Sequence, residues 1–309
     1  MPAEMKEKMG QRDLPQNAVP GPDDVDAESG FSLISNRKLE EMYAAMLRMR
    51  MLAERSFSKK GSNLCGAKLP AGREAFVAGV TIDLLPADTV LASPRNLLPG
   101  FLRGVPYQAI LAGQYTGHSC FLASDLAARF NLGLSAALAC KVKSTNNIAV
   151  VFAGAQEAAS VFAREALTFA AAQELPLIFV CDSMNETGRS RAASAAGQAK
   201  ACGVPAIAVD GSDAVAVYRV ASESCSRARK GRGPTLIDCR NFRISLRLAS
   251  PRARSLNADR VVSQDDPIVQ MEQYLANKRI FCAEQKAAIC SSFVQHLELL
   301  LGDARQADN

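Results

Sequence analysis

The chain has 309 residues, of which 48% are hydrophobic and 22% are charged, the balance of a soluble globular protein with one large domain or two small ones. Lys and Arg exceed Asp and Glu by 36 to 31, and part of the excess lies in 240–260, so a diffuse nucleic-acid-binding surface is not expected. Two histidines, His118 and His296, are too few for a histidine-rich metal centre. No apolar run approaches the roughly 20 residues of a membrane span, and the first residues do not form a secretory signal, so we expect a cytoplasmic protein.

The first half of the chain divides into a polar arm and a helical region. Residues 1–32 are rich in proline and acidic residues and predict a disordered arm. Apolar residues then recur at steps of three or four over 39–57, which indicates a long amphipathic helix. A shorter helix is predicted over 72–85. We expect residues 33–301 to form a single domain, followed by a tail at 302–309.

From residue 148 onward, apolar runs alternate with helical stretches. The runs 148–153, 177–181, 206–209 and 235–237 are apolar at nearly every position, which is typical of strands buried on both faces of a parallel sheet. The stretches between them predict helices over 157–173, 192–201 and 213–230. This order indicates an open α/β fold with helices on both faces of a mainly parallel sheet. Ligands bind such sheets beyond the carboxyl ends of their strands, so the segments after Ala153, Cys181 and Cys239 are the candidate site.

The C-terminal segment 266–301 predicts further helix, with apolar residues at helical spacing. His296 lies there and is interpreted as a surface or structural histidine. His118 lies in a segment without a clear pattern. It could replace a lost catalytic histidine, although a loop residue without a role is the favoured interpretation.

Five phrases, in the same order, give the chain a resemblance to a known family. They are LEEMYAAMLRMRMLAERSF (39–57), GREAFVAG (72–79), EALTFAAAQELPLIFVCD (165–182), VDGSDAVAVYRVASESCSRARKGRGPTLIDC (209–239) and DPIVQMEQYL (266–275). The chain resembles the alpha subunit of thiamin-diphosphate-dependent 2-oxo acid dehydrogenases of the pyruvate and branched-chain type. The resemblance implies a thiamin-diphosphate-binding fold and an oxidoreductase family.

The resemblance also implies where the cofactor's magnesium ion would bind, and here the chain departs from the family. The family motif begins Gly-Asp-Gly after one strand and ends Asn-Asn after the next, and the Asp and one Asn bind the metal. The aligned residues are Gly154, Ala155 and Gln156, then Ser183 and Met184. A methyl group cannot bind Mg²⁺, which requires oxygen ligands. Gln156 and Asp182 are candidate replacement ligands, but a lost metal site is the favoured interpretation.

Two histidine-containing segments of the family are also changed. Where the family has Tyr-Arg-Asp-His-Gly-His, the chain has 94–99, in which only Arg95 is retained. Where the family has Tyr-Arg and a His-Gly-His-Ser loop, the chain keeps Arg243 and has no histidine. The sequence therefore predicts no intact catalytic residue and no metal ligand. The residual cofactor-binding positions are Arg95, Gly154, Gln156, Asp182, Ser183 and Arg243.

These departures lead to three hypotheses of function. In the first, the chain is a degenerate, non-catalytic member without thiamin diphosphate or Mg²⁺, and it scaffolds or regulates a beta-like subunit or a paralogous alpha subunit in an α2β2-type assembly, or forms a homo-oligomer. Helices 39–57 and 157–173 are the predicted partner surface. In the second, it is an active thiamin-dependent decarboxylase of 2-oxo acids with an unusual site. In the third, the basic segment 240–255 binds an anion or nucleotide, or is phosphorylated at Ser245, Ser250 or Ser255.

Overall fold

A computed structural model describes residues 34–58, 71–93, 96–106, 109–110, 116–117, 119–184, 194–241 and 266–307. The chain divides into two units, residues 1–35 and 36–309. Of the first unit only Ile34 and Ser35 are described, and the predicted disordered arm lies outside the described residues. The second unit contains the sheet and the helices.

The second unit is built on a seven-stranded sheet with the order β2-β3-β1-β4-β5-β7-β6. The strands, in chain order, are β1 (Thr89–Ala92), β2 (Thr116–Gly117), β3 (Cys120–Leu122), β4 (Ala149–Gly154), β5 (Leu177–Met184), β6 (Ala206–Asp210) and β7 (Thr235–Asn241). Neighbouring strands are parallel, except that β2 at the edge runs antiparallel to β3. The predicted α/β fold with a mainly parallel sheet is therefore confirmed.

The helices flank this sheet and agree with most of the predicted ones. The bounded helices, in chain order, are α1 (Asn36–Ser58), α2 (Glu74–Thr81), α3 (Leu98–Leu102), α4 (Leu126–Val142), α5 (Ala155–Ala158), α6 (Val161–Ala172), α7 (Ala195–Ala201), α8 (Ala214–Arg229), α9 (Pro267–Asn277) and α10 (Ala283–Ala307). The helix predicted over 157–173 is broken because the Ser160 side chain accepts a hydrogen bond from the Ala163 amide and starts α6 there. No described helix is long and apolar enough to cross a bilayer.

Strands β1 and β3 and helix α4 were not predicted from the sequence. The two strands have four and three residues, too short for a period to be recognised. Helix α4 buries only part of one face, and Leu132, Leu138 and Val142 are exposed on its other side, so its apolar residues do not form one stripe. Tertiary contacts, and not local pattern, decide these elements.

The sheet separates two helical layers. On one face, α4, α6 and α7 pack on a core that includes Phe130, Leu167 and Phe179. On the other face, the Phe76 ring of α2 lies 6.4 Å from the Phe152 ring of β4, and α2 and α8 pack on each other. The buried stripe of α1 contacts α2, α3, α9 and α10 within the same chain. His296 on α10 is exposed, which agrees with the first of its two predicted roles, a surface histidine.

Helix α4 lies close against the sheet at Gly133. A Cβ atom placed there would lie 2.3 Å from Cγ2 of Val151, a fully buried residue of β4. We expect Gly133→Ala to lower the free energy of unfolding by about 1–2 kcal/mol, since overpacking outweighs the better helix propensity of alanine. Urea unfolding followed by circular dichroism measures the change.

The matched partner of this substitution is Val151→Ala, which removes the clashing methyl group. In the double variant the loss should be smaller than the sum of the two single losses, with a coupling of about 1 kcal/mol. Strictly additive losses would contradict the close approach of Gly133 to Val151.

Candidate functional site

The order of the strands predicts a crevice between β1 and β4. From β1 the chain proceeds to β3 on one side, whereas from β4 it proceeds to β5 on the other, so the strand order reverses between these two neighbours. Open α/β sheets bind ligands at such a point, beyond the carboxyl ends of the strands. Gly154 ends β4 there and lies directly beside Asp182 of β5 in the strand register. Of the three segments predicted as the site, the one after Ala153 therefore begins at this reversal point.

The carboxylate of Asp182 is the charged group at the centre of this edge. Its Oδ2 atom lies 2.6 Å from Nε of Arg73, at the start of α2, and its Oδ1 atom accepts a hydrogen bond of 2.6 Å from Nδ2 of Asn241, at the end of β7. The Asp182 and Arg73 side chains are only 9% and 20% exposed, so solvent screens this pair weakly. Asp182 therefore links two strands and a helix.

These contacts bear directly on metal binding. Both oxygens of Asp182 already accept hydrogen bonds or ionic contacts from protein donors, and Ala155 presents only a methyl group. Mg²⁺ requires near-octahedral coordination by oxygen. Among the described residues no group of three His, Cys, Asp or Glu side chains is placed to hold a metal ion. As placed, Ala155 and Asp182 do not fit a magnesium ion.

The other predicted cofactor-binding residues do not converge on Asp182. Gln156 is exposed on α5. Successive side chains of a strand alternate between faces, so Ser183 points to the face of the sheet opposite to that of Asp182. There its Oγ atom lies 3.3 Å from Sγ of Cys181. Arg95 and Arg243 lie outside the described residues, as do His118 and the basic segment from 242 onward.

Two buried thiols flank Asp182 without offering a nucleophile. Burial, together with the neighbouring Asp238 and Asp182 carboxylates, raises the pKa of Cys181 to about 12. The hydrogen bond with Ser183 acts in the opposite direction, lowering this pKa, but it does not outweigh them. Burial and the Cys181, Asp182 and Asp238 groups also raise the pKa of Cys239 well above its ordinary value. Since the thiolate is the reactive form, both cysteines stay protonated and inert at neutral pH.

A second ion pair lies at the ends of β3 and β4. Arg129 of α4 is 1% exposed, and its guanidinium binds the Glu157 carboxylate through two contacts of 2.8 and 3.2 Å. The same guanidinium donates to the carbonyl oxygens of Ala123 and Phe152, which follow β3 and lie in β4. Glu157 in turn accepts a hydrogen bond from the Gly154 amide at 2.8 Å. The pair joins the ends of two strands on either side of β1.

Sequence reasoning missed four residues of this site, namely Arg73, Arg129, Glu157 and Asn241. Arg73 carried a signal, since it stands in GREAFVAG where the resembled family has glutamine. Glu157 lies three residues after Gly154, a spacing at which a carboxylate can reach back to the backbone amide. Arg129 and Asn241 carried no local signal, because their partners are distant in sequence.

Comparison with known proteins identifies the family. The sequence profile described as "Dehydrogenase E1 component" matches residues 41–306. Similar proteins are each named pyruvate dehydrogenase E1 component subunit alpha. The protein of Staphylococcus aureus (strain Mu50 / ATCC 700699) is 27% identical over 89% of this chain and 80% of its own length. That of Bacillus cereus is 28% identical over 91% and 81%, and that of Bacillus subtilis (strain 168) is 28% identical over 85% and 76%. The resemblance read from the sequence is confirmed, and the chain belongs to the dehydrogenase E1 component family.

Proposed function

We propose that this chain is a non-catalytic, alpha-subunit-like member of the 2-oxo acid dehydrogenase family that binds neither thiamin diphosphate nor Mg²⁺. It keeps the fold of the family and acts by assembling with a beta-like subunit. Scaffolding or regulation of that partner is its role. Family membership and the pyruvate dehydrogenase-like character of the chain rest on the match and the similar proteins given above.

The contact between Asp182 and Arg73 carries the proposal. The Nε atom of Arg73 lies 2.6 Å from Oδ2 of Asp182 and occupies the oxygen that a metal ion would need. Asn241 takes the other oxygen. A magnesium ion would have to displace a half-buried guanidinium and would find a methyl group at Ala155. The diphosphate of the cofactor would then lack the metal that neutralises its charge.

The residues aligned with a lost histidine segment support the same proposal. Leu97 and Leu98 are 1% and 0% exposed, and Leu98 begins helix α3. Their side chains contribute to the core, whereas proton transfer requires a titratable group near the reacting atoms. These positions thus stabilise the fold and carry no group for decarboxylation.

The test is calorimetric titration of the purified chain with thiamin diphosphate in the presence of Mg²⁺. We expect no heat of binding, with the chain alone and with a beta-like subunit added. The alpha subunit of the Bacillus subtilis pyruvate dehydrogenase E1 component, titrated with its own beta subunit, is the matched positive control. Magnesium-dependent binding in the micromolar range would overturn the proposal and would favour an active enzyme that uses Gln156, Asp182 or Ser183 as ligands.

A further inference from the structure

The cation of Arg129 is the most deeply buried charge at the reversal point of the sheet. Its side chain is 1% exposed, and three groups from two strand ends and α5 surround its guanidinium: the Ala123 and Phe152 carbonyl oxygens and the Glu157 carboxylate. A buried cation without a negative partner is strongly unfavourable. Only Glu157 among these partners carries a charge, so the neutrality of this place depends on one carboxylate.

The Glu157 carboxylate contacts the Gly154 amide and the Arg129 guanidinium in the way that a bound carboxylate ligand would. Its Oε2 atom accepts from both the Gly154 amide and Nη1 of Arg129, each at 2.8 Å, and its Oε1 atom accepts from Nη2 of Arg129 at 3.2 Å. Paired contacts of this kind between a guanidinium and a carboxylate are strong and specific in geometry. The Glu157 side chain is 17% exposed, so this position is reached from solvent.

We propose, building on the function proposed above, that Arg129 and the Gly154 amide form an anion-binding site at the end of β4 and that the chain's own Glu157 fills it as an internal ligand. The ligands that this site accepts are small carboxylates. In the intact chain Glu157 excludes them. The cation that would attract an external anion to the crevice is thereby neutralised from within the chain.

The substitution Glu157→Ala tests whether this site accepts an external carboxylate. The substitution removes Cγ, Cδ and the two carboxylate oxygens, a group that acetate matches in size and charge. If the site is as proposed, acetate enters the space and restores the two contacts to Arg129. If Glu157 only stabilises α5 locally, the lost stability does not return with any anion.

The experiment is thermal unfolding of Glu157→Ala in a series of sodium acetate concentrations, with sodium chloride added to hold the ionic strength constant. We expect the midpoint to rise by about 3 °C more than in the unchanged protein, as binding to the folded state alone requires. Glu165→Ala, which removes an exposed carboxylate of α6, is the matched control for general effects of acetate. It should follow the unchanged protein.

Two further variants separate charge from volume. Glu157→Gln keeps the volume of the side chain and loses its charge, so it should be destabilised without responding to acetate. Arg129→Met combined with Glu157→Ala removes the cation, and its response to acetate should be lost. If Glu157→Ala is unfolded in chloride, recovery of its circular dichroism in acetate is the expected result.

The site is refuted if acetate stabilises Glu157→Ala no more than Glu165→Ala, or if an unfolded Glu157→Ala fails to recover in acetate. These outcomes leave the proposed function standing, because calorimetry of the unchanged chain tests that separately. Conversely, binding of thiamin diphosphate and Mg²⁺ by the unchanged chain would overturn the proposed function even if acetate rescued the variant.

Discussion

Replacing Arg50 with methionine is expected to lower the free energy of unfolding by about 3–5 kcal/mol at neutral pH. Arg50 of α1 donates to Glu74 at 2.6 and 3.2 Å and to Asp266 at 2.9 and 3.0 Å. The Glu74 side chain is fully buried, and those of Arg50 and Asp266 are 12% and 13% exposed. Methionine would leave two carboxylates near each other without a cation, which is the reason for the large loss.

The loss should depend on pH with a definite sign. Burial disfavours the charge of Asp266, but the hydrogen bonds and charge of Arg50, with backbone donors at the start of α9, hold the pKa of Asp266 below its ordinary value. A depressed pKa in the folded state contributes stability above the unfolded value of about 3.9, and the contribution is lost as the pH falls through the folded pKa. The deficit of Arg50→Met should therefore be full at neutral pH and shrink only as the pH falls below about 3.9, through the folded pKa of Asp266.

Arg48→Met is the matched control, because Arg48 is an exposed arginine of the same helix. Urea unfolding should be followed by circular dichroism, since the chain has no tryptophan. Similar losses in the two variants, or a deficit of Arg50→Met that does not change with pH, would contradict the role given to Arg50.

Helix α1 and the contacts of Arg50 with Glu74 and Asp266 show what the sequence could and could not predict. The stripe that makes α1 a helix follows from the spacing of its apolar residues, and Leu39, Met42 and Met46 are all fully buried as that spacing indicates. The polar contacts of Arg50 with residues far along the chain are not encoded by any local pattern. Strands β4 and β5 were predicted for the same reason as α1, because burial on both faces requires a continuous apolar run.

The candidate site likewise has features that the sequence predicts and contacts that it does not. Its location at the ends of β4, β5 and β7 follows from a general property of parallel sheets. The resemblance indicated where the sequence departs from the family pattern, for example at Ala155. It did not indicate the contact of Asp182 with Arg73, since Arg73 lies at the start of α2 and reaches Asp182 only through the packing of that helix on the sheet. A charge pair between two separate elements leaves no pattern in the local sequence of either one.

The second prediction with a large expected effect concerns assembly with a beta-like subunit. It depends on how much apolar surface helices α1 and α6 expose. The resemblance predicts a partner surface on helices 39–57 and 157–173. The apolar stripe of α1 is buried against helices of its own chain, whereas α6 exposes Val161, Phe162 and Phe169 by 57%, 49% and 44%. Large exposed apolar residues on one element are typical of interaction sites. We therefore expect α6, and not the stripe of α1, to contact the beta-like subunit.

Phe162→Glu combined with Phe169→Glu should abolish this assembly. Placing two carboxylates in an apolar interface removes two aromatic contacts and buries unpaired charge, so the affinity should fall by about 100-fold or more. The fold should persist, because both side chains are half exposed in the single chain. Sedimentation velocity of the chain co-expressed with a beta-like subunit measures the loss, and circular dichroism verifies the fold.

Leu85→Glu is the control, since Leu85 is an exposed apolar residue that follows α2 on the opposite side of the sheet from α6. It should assemble like the unchanged chain. Assembly of the Phe162 and Phe169 double variant at full affinity would contradict a contact through α6, and a chain that stays monomeric both alone and with the beta-like subunit would contradict the proposed function. A non-catalytic subunit can act only through what it binds, so the proposed function predicts that the exposed aromatic residues of α6 contact the beta-like subunit, whereas the anion site at Arg129 is tested independently of it.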